Sequence, residues 1–196
     1  MFARIKTDWT SPGYPDWDRR ANAMPDQHRV VLAAAIQTLQ DYFAGEPMVY
    51  VSGNTPVYFR TDGRRSQVIP DVYVVRNVSS RMRRGYRIRE EGKPPDWVLE
   101  LPSASSVHED AERKFALYEG VLVVPEYFLF DPAGDSLDPR LQGYCLRQGR
   151  YQRIVESKGR LLSRALGLQL EADGAALRFY DPATKCTLGG GGCTDG

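Results

Sequence analysis

Two short runs constrain what this chain can become: VIPDVYVVRN at 68–77 and PPDWVLELPS at 94–103. Both are dense in β-branched, aromatic and aliphatic residues, the composition of strands covered on two faces. Each is interrupted by an acid, Asp71 in the first and Glu100 in the second. An unpartnered carboxylate in such a strand costs free energy, so a side-chain cation, a set of backbone donors or a metal ion must meet it. The fold has to build an interior sheet and also supply a counterpart for its acids.

The flanking text predicts the cover and the rest of the sheet. PDQHRVVLAAAIQTLQDYFAG (25–45) has Asp26 as an N-cap, apolar residues at 31, 32, 35, 36, 39 and 43, and Gly45 as a stop, which predicts a first helix. PMVYVSGNTPVYF (47–59) reads as a hairpin turning at Gly53-Asn54, and QVIPDVYVVR (67–76) as one strand entered at Pro70. After WVLEL, Ser106 and Glu109 form a capping-box pattern that predicts a second helix to about Gly120, with Ala111, Phe115, Tyr118 and Leu122 on one face. PEYFLFD (125–131) follows as a strand parallel or mixed with the others, since a helix connects them. GYCLRQGRYQRIV and LGLQLEADGAALRFYD read as two hairpins, the second turning at Asp173-Gly174. The expected organisation is an irregular lead-in over 1–24, one domain over 25–188 and a flexible tail over 189–196. The fold class expected is α/β, an α+β mixed sheet with C-terminal hairpins added.

Composition narrows the function classes. With 196 residues and a net charge of +1, one core is expected and no global charge draws the chain to nucleic acid or membrane, so any electrostatic footprint must be local. No run approaches a membrane span and the N-terminus lacks a secretory h-region, so the expected address is cytoplasmic, without membrane contact. Three cysteines, odd in number and late in the chain, argue against a disulfide framework and read as spare thiols.

A sheet can set Asp71 and Glu100 side by side with their carboxylates converging at one edge. Hard divalent cations, Mg2+ or Mn2+, suit such oxygen donors. Lys114 lies about one helical step off the buried face of the second helix, and so points along the sheet surface. A lysine beside a metal-bound water orients the nucleophile, lowers its pKa, or neutralises charge developing on a phosphodiester. The plainer alternative has the acids on an open sheet face and the lysine snorkelling to solvent.

The order helix, PD strand, acid-bearing strand, Lys-bearing helix and strand resembles the PD-(D/E)XK nuclease superfamily. PPDWVLELPSASS, the later D, K and Y, PEYFLFDP and LGLQL…LRFYDP are similar to a bacterial family of restriction-endonuclease-like proteins abundant in cyanobacteria, over about 25–188. The resemblance implies a restriction endonuclease-like core, with Asp71, Glu100 and Lys114 catalytic. It also implies Asp71, Glu100 and the Leu101 carbonyl as ligands to Mg2+ or Mn2+, DNA as substrate, and a homodimer. In the superfamily's plain motif the lysine stands two residues after the second acid; here that position is Pro102, and the lysine is expected on the following helix. The function expected is a metal-dependent endodeoxyribonuclease; the rival is a non-catalytic, nuclease-derived binding or interaction module.

Between the acid-bearing strands, RNVSSRMRRGYRIREEGK holds Arg81, Arg83, Arg84 and Arg87, expected to grip phosphates without reading sequence. A solvated hairpin with scattered charges is the other reading of that segment. His28 either reaches the site as a proton carrier or packs at the helix start. Glu126 either supports Lys114 or faces solvent. Ser103, Ser105 and Ser106 are explained by capping and turns.

Overall fold

In the computed structural model, residues 26–61, 63–102 and 109–189 are described. Strand alternation decides the layering. Along β4 (Val72–Arg76), Val72 and Val74 join one apolar cluster while Tyr73 and Val75 join another on the opposite side. β6 (Trp97–Glu100) repeats this, with Trp97 and Leu99 on the first side and Val98 on the second. These strands are interior, as their composition demands.

They belong to a six-stranded sheet, β1-β4-β6-β7-β8-β9, completed by β1 (Val49–Gly53), β7 (Glu126–Phe130), β8 (Leu141–Arg147) and β9 (Arg150–Arg153). β6 and β7 run parallel and every other neighbouring pair is antiparallel, which makes the sheet mixed. Its first face is covered by α1 (Asp26–Tyr42), through Val31, Ala35 and Leu39, and by Leu161, Leu168, Leu170 and Phe179 of a second sheet. That sheet is antiparallel, β10 (Arg160–Ser163), β11 (Leu168–Asp173), β12 (Ala176–Asp181) and β13 (Cys186–Leu188). The expected hairpins at 143–155 and 166–181 are present as β8-β9 and β11-β12.

The opposite face is covered by two pieces. One is a three-stranded sheet of β2 (Val57–Thr61), β3 (Arg64–Val68) and β5 (Tyr86–Arg87), with a short helix α2 (Ile88–Glu91) after it. The other is α3 (Glu109–Ala116), which continues into a wider π-turn over Leu117–Val121. α3 is the crossover that the parallel pair β6/β7 requires. Among the described residues no helix is long and apolar enough to cross a membrane.

Three expectations fail here. Gly53-Asn54 does not turn a hairpin, because β1 pairs with β4 while β2 pairs with β3 and β5. Instead Asn54, at φ 48°, gives its N–H to the Pro70 and Asp71 carbonyls and sends the chain out of the main sheet. Residues 67–76 are not one strand either. β3 ends at Val68 in the small sheet and β4 begins at Val72 in the large one, with Ile69-Pro70-Asp71 bridging them. Cys145 is a free thiol, but Cys186 is disulfide-bonded, against the reading of spare thiols. The expected cap residue Ser106, its neighbours Ser103 and Ser105, and the lead-in and tail beyond 189 lie outside the described residues.

Candidate active site

Register brings the acids together. β4 and β6 pair Val72 with Leu99, Tyr73 with Val98 and Val74 with Trp97, so one further step sets Asp71 opposite Glu100. Asp71 is half-buried and accepts the Leu101 N–H at 2.7 Å, which closes the pairing by one residue beyond the strands. A backbone donor is therefore part of what compensates Asp71. Gly53 makes the junction possible: a Cβ there would overlap the Asp71 carbonyl oxygen, so β1 can approach so closely only without a side chain.

Glu100 is 4% exposed and lies on the face covered by α3. Lys114 Nζ donates to Glu100 Oε2 at 2.8 Å and the Tyr118 hydroxyl donates to Oε1 at 2.7 Å. Lysine and tyrosine are four residues apart on one helix, hence on one side of it, and together they fix both oxygens of one carboxylate. The π-turn begins between them; its Leu122 N–H bonds back to the Leu117 carbonyl at 2.9 Å, five residues away. Lys114 also approaches the Ile69 carbonyl at 3.4 Å, tying α3 to the segment that leads into Asp71.

Electrostatics follow from this placement. Burial pushes the Glu100 carboxyl up from 4.5 to about 8; the Lys114 ammonium opposes the rise and the Asp71 charge adds to it. Two carboxylates opposed across adjacent strands repel unless a cation intervenes or one holds a proton. Lys114 supplies one positive charge to this pair of acids. Tyr118 is held well above the ordinary phenol range, first by burial and then by the charge of Glu100, so it remains a hydrogen-bond donor.

Arg83 is only 5% exposed in its side chain; it stacks on Tyr50 at 4.3 Å and donates to Glu91 at 2.7 and 2.9 Å. Arg81 is largely exposed and reaches the same Glu91 at 3.3 Å, while Arg84 and Arg87 are exposed. The segment carrying Arg81, Arg83 and Arg84 leaves β4 after Arg76, the end of that strand opposite Asp71. His28 packs: its Nε2 donates to the Pro102 carbonyl at 3.0 Å from within the helix-covered face. Glu126 does neither thing expected of it. It is buried and accepts from Ser163 Oγ at 2.6 Å and from the Arg164 and Ala165 N–H groups, holding the turn after β10. Asp131 follows β7 near the site's end of the sheet, but its oxygens accept four backbone N–H groups, of Ala133, Gly134, Ser136 and Leu137. Among the described residues no three His, Cys, Asp or Glu side chains are grouped to hold a metal ion, so the acids that converge are a pair.

Tyr118 is the residue that sequence reasoning missed, since it was counted as apolar cover. Its signal was available: a tyrosine buried by its helix needs a partner for its hydroxyl, and Lys114 stands one turn away.

A mixed sheet with opposed acids on adjacent strands and a lysine-bearing crossover beside them is the arrangement that the resemblance to restriction-endonuclease-like proteins implies. Residues 19–189 match Uma2, whose description is "Putative restriction endonuclease", and the chain belongs to that family. In fold it is similar to the crystal structure of "a putative nuclease belonging to DUF820 from Anabaena variabilis ATCC 29413", with a TM-score of 0.50 and 14% identity over 71% of this chain and 73% of that one. No curated protein matches the chain.

Proposed function

We propose that this protein is a metal-dependent endonuclease that hydrolyses phosphodiester bonds of DNA. The observation that supports it most is the Lys114 and Tyr118 clamp on Glu100, opposite Asp71. Asp71, Glu100 and the Leu101 main-chain carbonyl would hold Mg2+ or Mn2+; hard oxygen donors few in number fit ions that complete their shell with water and substrate. Bound there, the ion supplies a positive charge that acidifies water and stabilises the negative charge building on phosphoryl oxygens.

The chain's own residues do the rest. Lys114, held against Glu100, would set its ammonium charge beside the attacking water and the phosphate, orienting the one and neutralising charge on the other. Tyr118 keeps the Glu100 carboxylate in one rotamer, so its second oxygen is a fixed point for Lys114. One site cuts one strand, so the reading extends to a homodimer for double-strand cleavage, checked by light scattering.

The test is thermal unfolding in EDTA, Mg2+ and Mn2+ for wild type, Asp71→Asn and Glu100→Gln, followed by incubation with supercoiled plasmid. The expected result is a metal-dependent rise in Tm lost in both variants, with nicking by wild type alone. Nicking retained by Asp71→Asn and Glu100→Gln would overturn the site. A protein neither stabilised by metal nor able to nick, yet retaining DNA, would be the non-catalytic module instead.

A further inference from the structure

We propose that the outer face of the three-stranded sheet is where the protein holds duplex DNA, through its phosphate backbone. The choice of polyanion rests on the nuclease reading; the location rests on the geometry of β2, β3 and β5.

Strand alternation sends Val57 into the core and Phe59 against it, and leaves Tyr58 and Arg60 pointing outward. Cross-strand pairing then sets Gln67 and Arg87 against Tyr58 on either side, and Arg65 directly against Arg60. Two guanidinium groups opposed across adjacent strands are destabilising by themselves. Among the described residues neither Arg60 nor Arg65 has an acidic partner, and the acid beside Arg87 is Glu90, at 3.5 Å with both side chains more than half exposed. Such a pair contributes little. Arg89 lines the same groove, of about 500 Å³. Exposed guanidinium groups set side by side without acids between them offer donors whose geometry matches phosphates.

The contrast with Arg83 is informative. That arginine, read from sequence as a phosphate contact, is used inside the fold against Glu91 and Tyr50. Those on β2, β3 and β5 have their charge directed to solvent. Duplex rather than single-stranded DNA follows from the rings: the groove's exposed aromatic, Tyr58, has the Arg87 guanidinium over it at 5.9 Å, so no row of open rings offers itself to stacked bases. β3 also leads to the chemistry. From Arg65 the chain runs six residues to Asp71, at most about 20 Å of extended backbone, or about six phosphate steps along one strand.

The experiment is fluorescence-anisotropy binding of a labelled duplex in EDTA across a salt series, for wild type, an Arg60→Gln, Arg65→Gln, Arg87→Gln variant, and an Arg81→Gln, Arg84→Gln variant. The first variant is expected to lose about 0.9 of salt slope per phosphate contact removed, hence about 2–3 in total, and at least about tenfold in affinity at low salt. Its Tm should hold or rise, because a like-charge pair has been relieved; that separates a binding surface from a structural one. The second variant should bind like wild type. An unchanged slope in the first variant, loss carried by the second instead, or tighter binding of single-stranded DNA or of duplex RNA would overturn the inference. Plasmid nicking in Mg2+ is scored separately: binding lost with the three arginines in a protein that never nicks removes the nuclease reading and leaves this surface standing. Nicking with no change in the variant's binding does the reverse.

Discussion

Glu100→Gln in metal-free buffer should flatten the pH dependence of folding. The folded carboxyl, raised by burial to about 8, keeps its proton through a range in which the unfolded chain, at the ordinary 4.5, has already released it. Between those values the folded state binds more protons, so stability falls as pH rises, and it levels off above the folded value. Where the difference approaches one proton the slope is about 1.4 kcal/mol per pH unit, so from about pH 5.5 to 7.5 wild type should lose about 3 kcal/mol from this group. In a chain of this size that is on the order of 5–10 °C in Tm. Glutamine keeps the shape and an acceptor for Tyr118 without the titration, so the variant's profile should lack this component. The assay is urea denaturation followed by circular dichroism at several pH values in EDTA, taking the difference between the two proteins. Parallel profiles would refute the reasoning, because Glu100 would then titrate in the fold as it does in the unfolded chain. With Mg2+ held at the proposed site, the wild-type slope should fall and the variant's slope stay as it is.

Tyr118→Phe removes a donor from a buried carboxylate and should cost about 1–3 kcal/mol in urea denaturation, with slower plasmid nicking; unchanged values would detach Tyr118 from the site. Gly53→Ala forces a methyl group against the Asp71 carbonyl and the Ile36 side chain and should cost about 1–3 kcal/mol, read as a lower Tm, together with loss of metal stabilisation. Arg83→Ala leaves Glu91 without its main partner and uncovers Tyr50, so the loss should appear as about 2–4 kcal/mol of stability with the salt slope of DNA binding unchanged.

Much of this site was legible because its signals are local. An acid inside an apolar run is visible in the text, and so is a lysine placed just off a helical stripe; Asp71, Glu100 and Lys114 do meet. The parts that were not legible depend on partners distant in sequence. Gly53-Asn54 carries a turn signal, but such a signal does not say whether the next strand folds back or leaves for another sheet, and here it leaves. Pro70 was read as the entry of one strand; lacking an N–H it instead marks the break between two, which places Asp71 ahead of β4 rather than within it. Arg83 and Arg84 are neighbours with identical chemistry in the sequence. Glu91, the Tyr50 ring and the Ser79 and Arg81 carbonyls hold Arg83 in the fold, and none of these contacts has a pattern in the text. Glu126 reads in the sequence as a support for Lys114 or as a solvent-facing acid, yet it turns to the opposite face, where the turn after β10 supplies its donors.

Asp71 belongs to neither sheet. It is the last link of the three-residue bridge between β3 and β4, whereas Glu100 is built into β6 and gripped by α3. The two acids therefore differ in mechanical footing: one is anchored in the wall, the other is hung on the seam. A tilt of the three-stranded sheet against the main one would alter the spacing of the carboxylates through Ile69 and Pro70 while Glu100 stayed in place. A load applied to β2 and β3 would reach the pair of acids through Asp71, by way of Ile69 and Pro70.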